Sequence, residues 1–147
     1  MTPAFSARRA VLDDAAHIAR LSLQLTPGID PEAIALRFVR LLDRPTHACF
    51  VLCENDLVVG FVVAEHRSLL QVGDRVELIS LVVEDRLRRQ GAGGTLVAAA
   101  EAWARRRGVE DMVVRSSVLR DASHPFYLRI GYAHHKTQHV YTRKLTS

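Results

Sequence analysis

Leu81-Val82-Val83-Glu84-Asp85-Arg86-Leu87-Arg88-Arg89-Gln90-Gly91-Ala92-Gly93-Gly94-Thr95 runs from the end of an apolar strand, through a basic and glycine-rich turn, into a long helix. The helix is read from Leu96, Ala100 and Trp103, which recur at core spacing, and from Gly108, which stops the pattern directly after Arg105-Arg106-Arg107. Glycines between a strand and a helix let backbone N–H groups approach a phosphate at the positive end of the helix dipole. Gly91 and Gly93 permit that approach because neither carries a Cβ. Glycines of this kind also make tight turns that hold nothing. The stretch lacks the second-glycine spacing of G-x-G-x-x-G with its downstream acidic ribose ligand, and it lacks the Lys-Ser or Lys-Thr of a P-loop, which disfavours a nucleotide triphosphatase.

Working outward, residues 76–84 form the strand that leads into the turn. Near the N-terminus, residues 5–10 alternate as a short strand, and Asp13 or Asp14 caps a helix with Ile18, Leu21 and Leu25 on its apolar face. Thr26-Pro27-Gly28 ends that helix. Asp30 as N-cap and Pro31 at the first helical position open a second one, carrying Ile34, Phe38 and Leu41 and closed by Asp43-Arg44-Pro45. Residues 48–53 and 57–65 read as a hairpin around Glu54-Asn55-Asp56, followed by a loop over 67–74. Beyond the long helix come a buried strand at 112–116, a short helix at 123–130, and a final strand pair at 132–135 and 140–145. The predicted order is β-α-α-β-β-β-α-β-α-β-β.

The chain has 147 residues, 48% apolar and 24% charged. A globule of that size buries roughly 70% of its unfolded surface, so a single domain over residues 1–147 is expected. The start carries no apolar signal core ahead of Arg8-Arg9, and no run is long enough to cross a bilayer; the expectation is a cytoplasmic protein with no membrane partner. A net charge of +4 invites a nucleic-acid reading, but the arginines are spread along the whole chain and only 6% of residues are aromatic. Stacking platforms are therefore not expected, and no nucleic-acid partner is; a polyanionic small molecule fits the charge equally well. Cys49 and Cys53 lie in one strand, about 13 Å apart, too far to bridge. His47 shares their parity, yet nothing elsewhere supplies the paired spacing of a zinc site, so no metal is expected and the thiols read as buried.

The stretch from Leu81 to Gly93 resembles the acetyl-CoA motif of the GNAT superfamily of N-acetyltransferases, whose core is Arg or Gln, two residues, Gly, one residue, then Gly or Ala. Arg88, Gly91 and Gly93 match its fixed positions. Arg120-Asp121-Ala122-Ser123-His124-Pro125-Phe126-Tyr127-Leu128-Arg129-Ile130-Gly131-Tyr132 is similar to the family's later segment, which ends in Phe-Tyr, three residues, then Gly-Tyr or Gly-Phe. The resemblance implies an α+β, three-layer fold: a mixed, mostly antiparallel, strongly twisted sheet flanked by helices. In it, strands 76–84 and 112–116 splay apart and acetyl-CoA, the cosubstrate, sits in the V. It further implies that Leu81, Val82 and Val83 hold the acetyl and pantetheine end through backbone groups. The pyrophosphate would be held by Arg88, Arg89, Gln90, Gly91, Ala92, Gly93, Gly94 and Thr95. Arg120 departs from the asparagine many members carry there.

Acetyl transfer to a primary amine needs a neutral nitrogen, a stabilised oxyanion and a protonated leaving thiolate. By the resemblance, the Leu81 N–H, freed by a strand bulge, polarises the thioester carbonyl, and Tyr127 protonates the sulfur. Glu77, four residues before Leu81, is the general base, directly or through water. Without the family, Tyr127 reads as a core tyrosine beside Phe126, and Glu77 as an ordinary solvent-facing or ion-paired carboxylate. Glu65, His66 and His124 are weaker alternatives, and His134, His135 and His139 are assigned no chemistry. The acceptor, a primary amine of a small molecule or peptide, would meet residues 25–30 and 136–139, and the family's habit of dimerising through its last strands implies a homodimer. The alternative from another class is a non-catalytic acyl-CoA-binding regulatory module.

Overall fold

The computed structural model describes residues 5–87, 90–117 and 123–146, and the chain divides into two compact units, 1–115 and 116–147. The first unit is built on a five-stranded sheet of order β1-β2-β3-β4-β5: β1 Phe5–Arg9, β2 His47–Glu54, β3 Leu57–Leu69, β4 Gly73–Val83 and β5 Met112–Val114. The first four strands run antiparallel to their neighbours, and β5 lies parallel to β4. This is the mixed, mostly antiparallel sheet expected from the sequence.

Helices α1 (Ala15–Leu25) and α2 (Pro31–Leu42) cover one face. Ile18, Leu21 and Phe38 pack there against Cys49, Val51, Phe61, Val63 and Val82. Helix α3 (Ala92–Arg106) covers the other face through Leu96, Val97, Ala100 and Trp103. Because both faces are covered, the central strands are near-continuous apolar runs. Val51, Leu52, Val59 and Val62 are wholly buried, and each such side chain contributes roughly 1.5–3 kcal/mol of burial.

The helix ends follow the expected chemistry in part. Asp30 accepts a hydrogen bond from the Glu32 N–H at 3.1 Å, with Pro31 opening α2, and Gly108, at φ 74°, stops the chain after α3. Asp14 occupies the N-cap of α1 but its side chain makes no cap bond to that helix. Its buried carboxylate instead accepts from both Arg8 guanidinium nitrogens at 2.8 and 2.9 Å and from the Val11 N–H at 2.8 Å, tying β1 to the turn that follows it. This pairing holds the carboxyl below the usual range, with the Arg8 hydrogen bond as the main cause.

Three expectations are corrected. Residues 67–74 are not a loop: the β3–β4 ladder runs on to Leu69 opposite Gly73, because polar side chains pair across it, as His66 does with Asp74 at 2.9 Å. The strand expected at 112–116 pairs only over Met112–Val114 and is half-buried, as suits an edge. In the second unit, α4 (Ser123–Arg129) is followed by Gly131 at φ 101°, and the described residues 132–146 form no strand pair. Val140, Tyr141 and Leu145 stay exposed there. A lone hairpin with no buried face is marginal in water, and the His, Lys, Thr and Gln residues of this stretch offer none.

Candidate active site

The centre of the candidate site is a change of phase in β4. Val63 pairs with Ser80 and Ala64 with Leu78, so Ile79 is an extra, bulged residue. Before the bulge, the Val76 N–H donates to the Asp111 carbonyl at 3.1 Å, toward β5. After it, the Glu84 N–H donates to the Val59 carbonyl at 2.9 Å, toward β3. The Val83 carbonyl accepts from the Gln24 side chain at 2.7 Å, on the opposite side. Backbone groups alternate along a strand, so Leu81 and Val83, rather than Ser80 and Val82, follow Val76 and Leu78 in facing away from β3.

What they face is a fork. The last β4–β5 pair is Leu78 with Val114, so β4 continues to Val83 along an edge that β5 does not cover. A bulge bends and twists its strand, and this one sits next to the last pair. The edge offers a preorganised donor at Leu81 for a carbonyl oxygen, while the Val83 carbonyl beyond it is taken by Gln24. Val82 is placed otherwise: its side chain is core and its backbone turns to β3.

The glycine turn lies beyond a 3-10 turn at Asp85–Leu87. Arg88 and Arg89 fall outside the described residues. Gly91 is the N-cap of α3 with φ 83°; a Cβ there would meet nothing within 4 Å, so the sign of φ, not crowding, calls for glycine. Thr95 directs both its N–H and its hydroxyl to the Gly91 carbonyl, each at 3.1 Å. Gln90 donates to the Arg86 carbonyl at 3.3 Å. The N–H groups of Ala92, Gly93 and Gly94, in the first turn, have no partner within the helix and carry the positive end of its dipole. These donors fit the pyrophosphate of a coenzyme.

Glu77 is 6% exposed. One oxygen takes Arg115 Nε at 3.0 Å, and the other lies 3.6 Å from Arg67. Directly across the ladder from it, Glu65 meets His47 at 3.1 Å and Arg67 at 3.5 Å. His66 belongs to the other face, where its Nδ1 accepts from Arg107 at 2.7 Å and its Nε2 meets Asp74. The His66 hydrogen bond is the main reason that the Asp74 carboxyl lies below its ordinary range.

Within the second unit, Tyr127 is half-buried on α4, its ring against Phe126 at 5.0 Å and Tyr132 at 6.0 Å between centroids. His124 packs edge-on to His134 at 5.9 Å. Cys49 and Cys53 are free and buried, and burial pushes the Cys49 thiol up to about 12. Among the described residues no group of three or more His, Cys, Asp or Glu side chains gathers as metal ligands. Nor is any helix long and apolar enough to cross a membrane. Reading the sequence misses Gln24, Arg67, Arg75 and Arg115; their only signal there is an even spread of polar residues, and their convergence is a product of strand register.

A sequence model of the acetyltransferase (GNAT) family matches residues 14–132. The aminoalkylphosphonate N-acetyltransferase of Salmonella typhimurium is 32% identical over 133 residues, covering 88% of this chain and 86% of that protein. An uncharacterized N-acetyltransferase of Bacillus subtilis, YhdJ, is 26% identical over 104 residues, 71% of this chain and 73% of its own. Among solved structures, the aminoglycoside N-acetyltransferase AAC(6')-Iy in complex with CoA shares the fold at a TM-score of 0.88 and 21% identity, over 99% of this chain and 98% of that one. The motif at Arg88 to Gly93, the forked sheet and these relatives agree: the chain belongs to the acetyltransferase (GNAT) family and is an N-acetyltransferase.

Proposed function

We propose that this protein transfers the acetyl group of acetyl-CoA to the primary amine of a small molecule by direct attack. The observation that carries the reading is the β4 edge at Leu81, which β5 does not cover, together with the first-turn N–H groups of Ala92, Gly93 and Gly94, which have no partner within α3. The coenzyme supplies an activated thioester; the chain's residues bind and polarise it. The Leu81 N–H donates to the thioester oxygen and gains strength as negative charge develops there. The first turn of α3 holds the pyrophosphate, joined by Arg88 and Arg89 from the same motif.

Glu77 takes the proton of the incoming ammonium through a water, since both its oxygens already face guanidinium groups. The amine nitrogen then bonds to the carbonyl carbon and the carbon–sulfur bond breaks. Tyr127 gives its phenolic proton to the leaving thiolate and is reprotonated by the proton the nitrogen loses. The products are the acetamide and free coenzyme thiol. The family match over residues 14–132 spans both units, which supports one catalytic domain over 1–147. Two free thiols fit a reducing compartment such as the cytoplasm. The exposed Val140, Tyr141 and Leu145 suit a homodimer contact, which sedimentation tests.

The experiment is thiol release from acetyl-CoA with a panel of aminoalkylphosphonates, aminoglycosides, polyamines, amino acids and short peptides. Release with one class establishes the reaction. Silence across the panel, with coenzyme still bound, would replace it by the non-catalytic binding module. In Tyr127→Phe, kcat should fall about 100-fold or more with coenzyme affinity kept; an unchanged rate removes Tyr127 from the mechanism.

A further inference from the structure

Arg67 and Arg75 are direct partners across the β3–β4 ladder and therefore project from the same face of the sheet. That face also carries Glu65, Glu77 and His47, through Glu65 opposite Glu77 and His47 opposite Glu65. Arg115 joins it through its bond to Glu77. The face thus carries three arginines and two carboxylates, and only Arg67 and Arg115 pair with the latter. Arg115 is satisfied at 3.0 Å, whereas Arg67 stands 3.5 and 3.6 Å from its two carboxylates, beyond good hydrogen-bond distance. Arg75 enters no ion pair among the described residues, and its Nε is buried without a hydrogen-bond partner. Directly opposed side chains have Cβ atoms about 4.5–5.5 Å apart, where like charges repel. Among the described residues, then, one of the two opposed guanidinium groups is loosely held and the other has an orphaned donor.

We propose that Arg67 and Arg75 are the receptor for a tetrahedral oxyanion carried by the acceptor, so that the substrate is a short aminoalkyl phosphonate or phosphate ester. The proposal rests on the acetyl-transfer reading and names its acceptor class. Along β4 the order is Arg75, Glu77, the last β5-paired residue Leu78, then Leu81 at the fork. Arg75 and Glu77 are two residues apart, about 6–7 Å of strand, a span that an amine and an oxyanion separated by two or three carbons can bridge. With its anion on Arg67 and Arg75, such a molecule presents its nitrogen to Glu77, on the side of the fork. Guanidinium forks match tetrahedral oxyanions with paired hydrogen bonds, and Arg67 is 37% exposed at its side chain, so its half of the receptor is open to solvent.

The test compares kcat/KM for 2-aminoethylphosphonate, phosphoethanolamine and propylamine in the wild-type protein, Arg75→Gln and Arg75→Lys. Calorimetric titration with methylphosphonate, which has no amine, runs beside it. The wild type should favour the two oxyanionic amines over propylamine by about 100-fold or more, since each charged hydrogen bond is worth roughly tenfold or more. Arg75→Gln should cut that preference at least tenfold, chiefly through KM, and weaken methylphosphonate binding in step; Arg75→Lys should restore part of both. Preference for one oxyanionic amine over the other identifies the source of the head group. An equal preference in wild type and Arg75→Gln, or equal methylphosphonate binding, overturns the proposal. Absence of acetyl transfer to every amine, with methylphosphonate still bound through Arg75, would instead count against the acetyl-transfer reading and leave the receptor standing.

Discussion

Arg75 stands directly opposite Arg67 in the β3–β4 ladder, with its Nε buried and unbonded. Opposed like charges cost up to about 1 kcal/mol, and an unmet buried donor adds to that. Arg75→Leu should therefore stabilise the protein by about 1 kcal/mol, raising Tm by roughly 2–6 °C in a thermal melt. A drop in Tm would show that Arg75 holds the fold rather than a ligand. Stability given up at a binding position is a common pattern.

Asp14 couples stability to acid. Its folded pKa is lowered, with the Arg8 hydrogen bond as the main cause, so its contribution is fully present above the unfolded carboxyl value near 3.9. It is lost as pH falls through the lower folded value. Arg8 is 46% exposed at its side chain, and solvent screening keeps the expected cost of Asp14→Asn to about 1–2 kcal/mol near neutral pH. Urea unfolding should show that gap narrowing as the medium is acidified below about pH 4; a gap independent of pH would mean that packing, not charge, is lost.

Gly60 is required by crowding. A Cβ there would lie 2.8 Å from the Val82 carbonyl oxygen and 3.3 Å from Leu96. Gly60→Ala should destabilise by about 1–3 kcal/mol, and because the displaced backbone belongs to β4 beside the fork, KM for acetyl-CoA should rise as well. Denaturation together with coenzyme titration measures both, and a variant as stable as wild type would show that β4 yields easily.

The cysteines should be silent in the native protein. With the Cys49 thiol at about 12, only about one molecule in ten thousand carries the thiolate near pH 8, and Cys53 is buried as well. An aromatic disulfide reagent should label neither within minutes until urea is added, then both. Early labelling would reveal local opening of β2. The same inertness keeps the protein's own thiols out of a coenzyme-thiol readout.

Local chemistry was the legible part of the fold. Asp30 with Pro31, Gly108 after three arginines, and the apolar runs of β2 and β3 each state a structure within a few residues, and the structure follows them. Charged residues misled in one place: Arg67 to Asp74 looks like a loop because its polar side chains are read singly, whereas paired across a ladder they extend a hairpin. At the site, Leu81 and Gly91 stood in a motif and could be picked out. Gln24 reaching the Val83 carbonyl and Arg115 reaching Glu77 depend on contacts dozens of residues apart in the chain, and the meeting of Arg67 with Arg75 and Glu77 depends on the β3–β4 register, none of which a local pattern encodes. The residues after Tyr132 alternate enough to suggest strands but bury nothing that would hold them.

The bulge at Ile79 leaves the sheet deliberately incomplete. Past Leu78 no strand of the first unit pairs with this edge of β4 among the described residues, and only the Gln24 side chain reaches it, at the Val83 carbonyl. An open strand edge is a place where a foreign chain can dock, and a guest that binds only the folded form stabilises it in proportion to its concentration. On the proposed reading, in which the coenzyme lies along this edge, the protein should keep longer, and clump less, when stored with coenzyme, the guest taking the place of a missing strand.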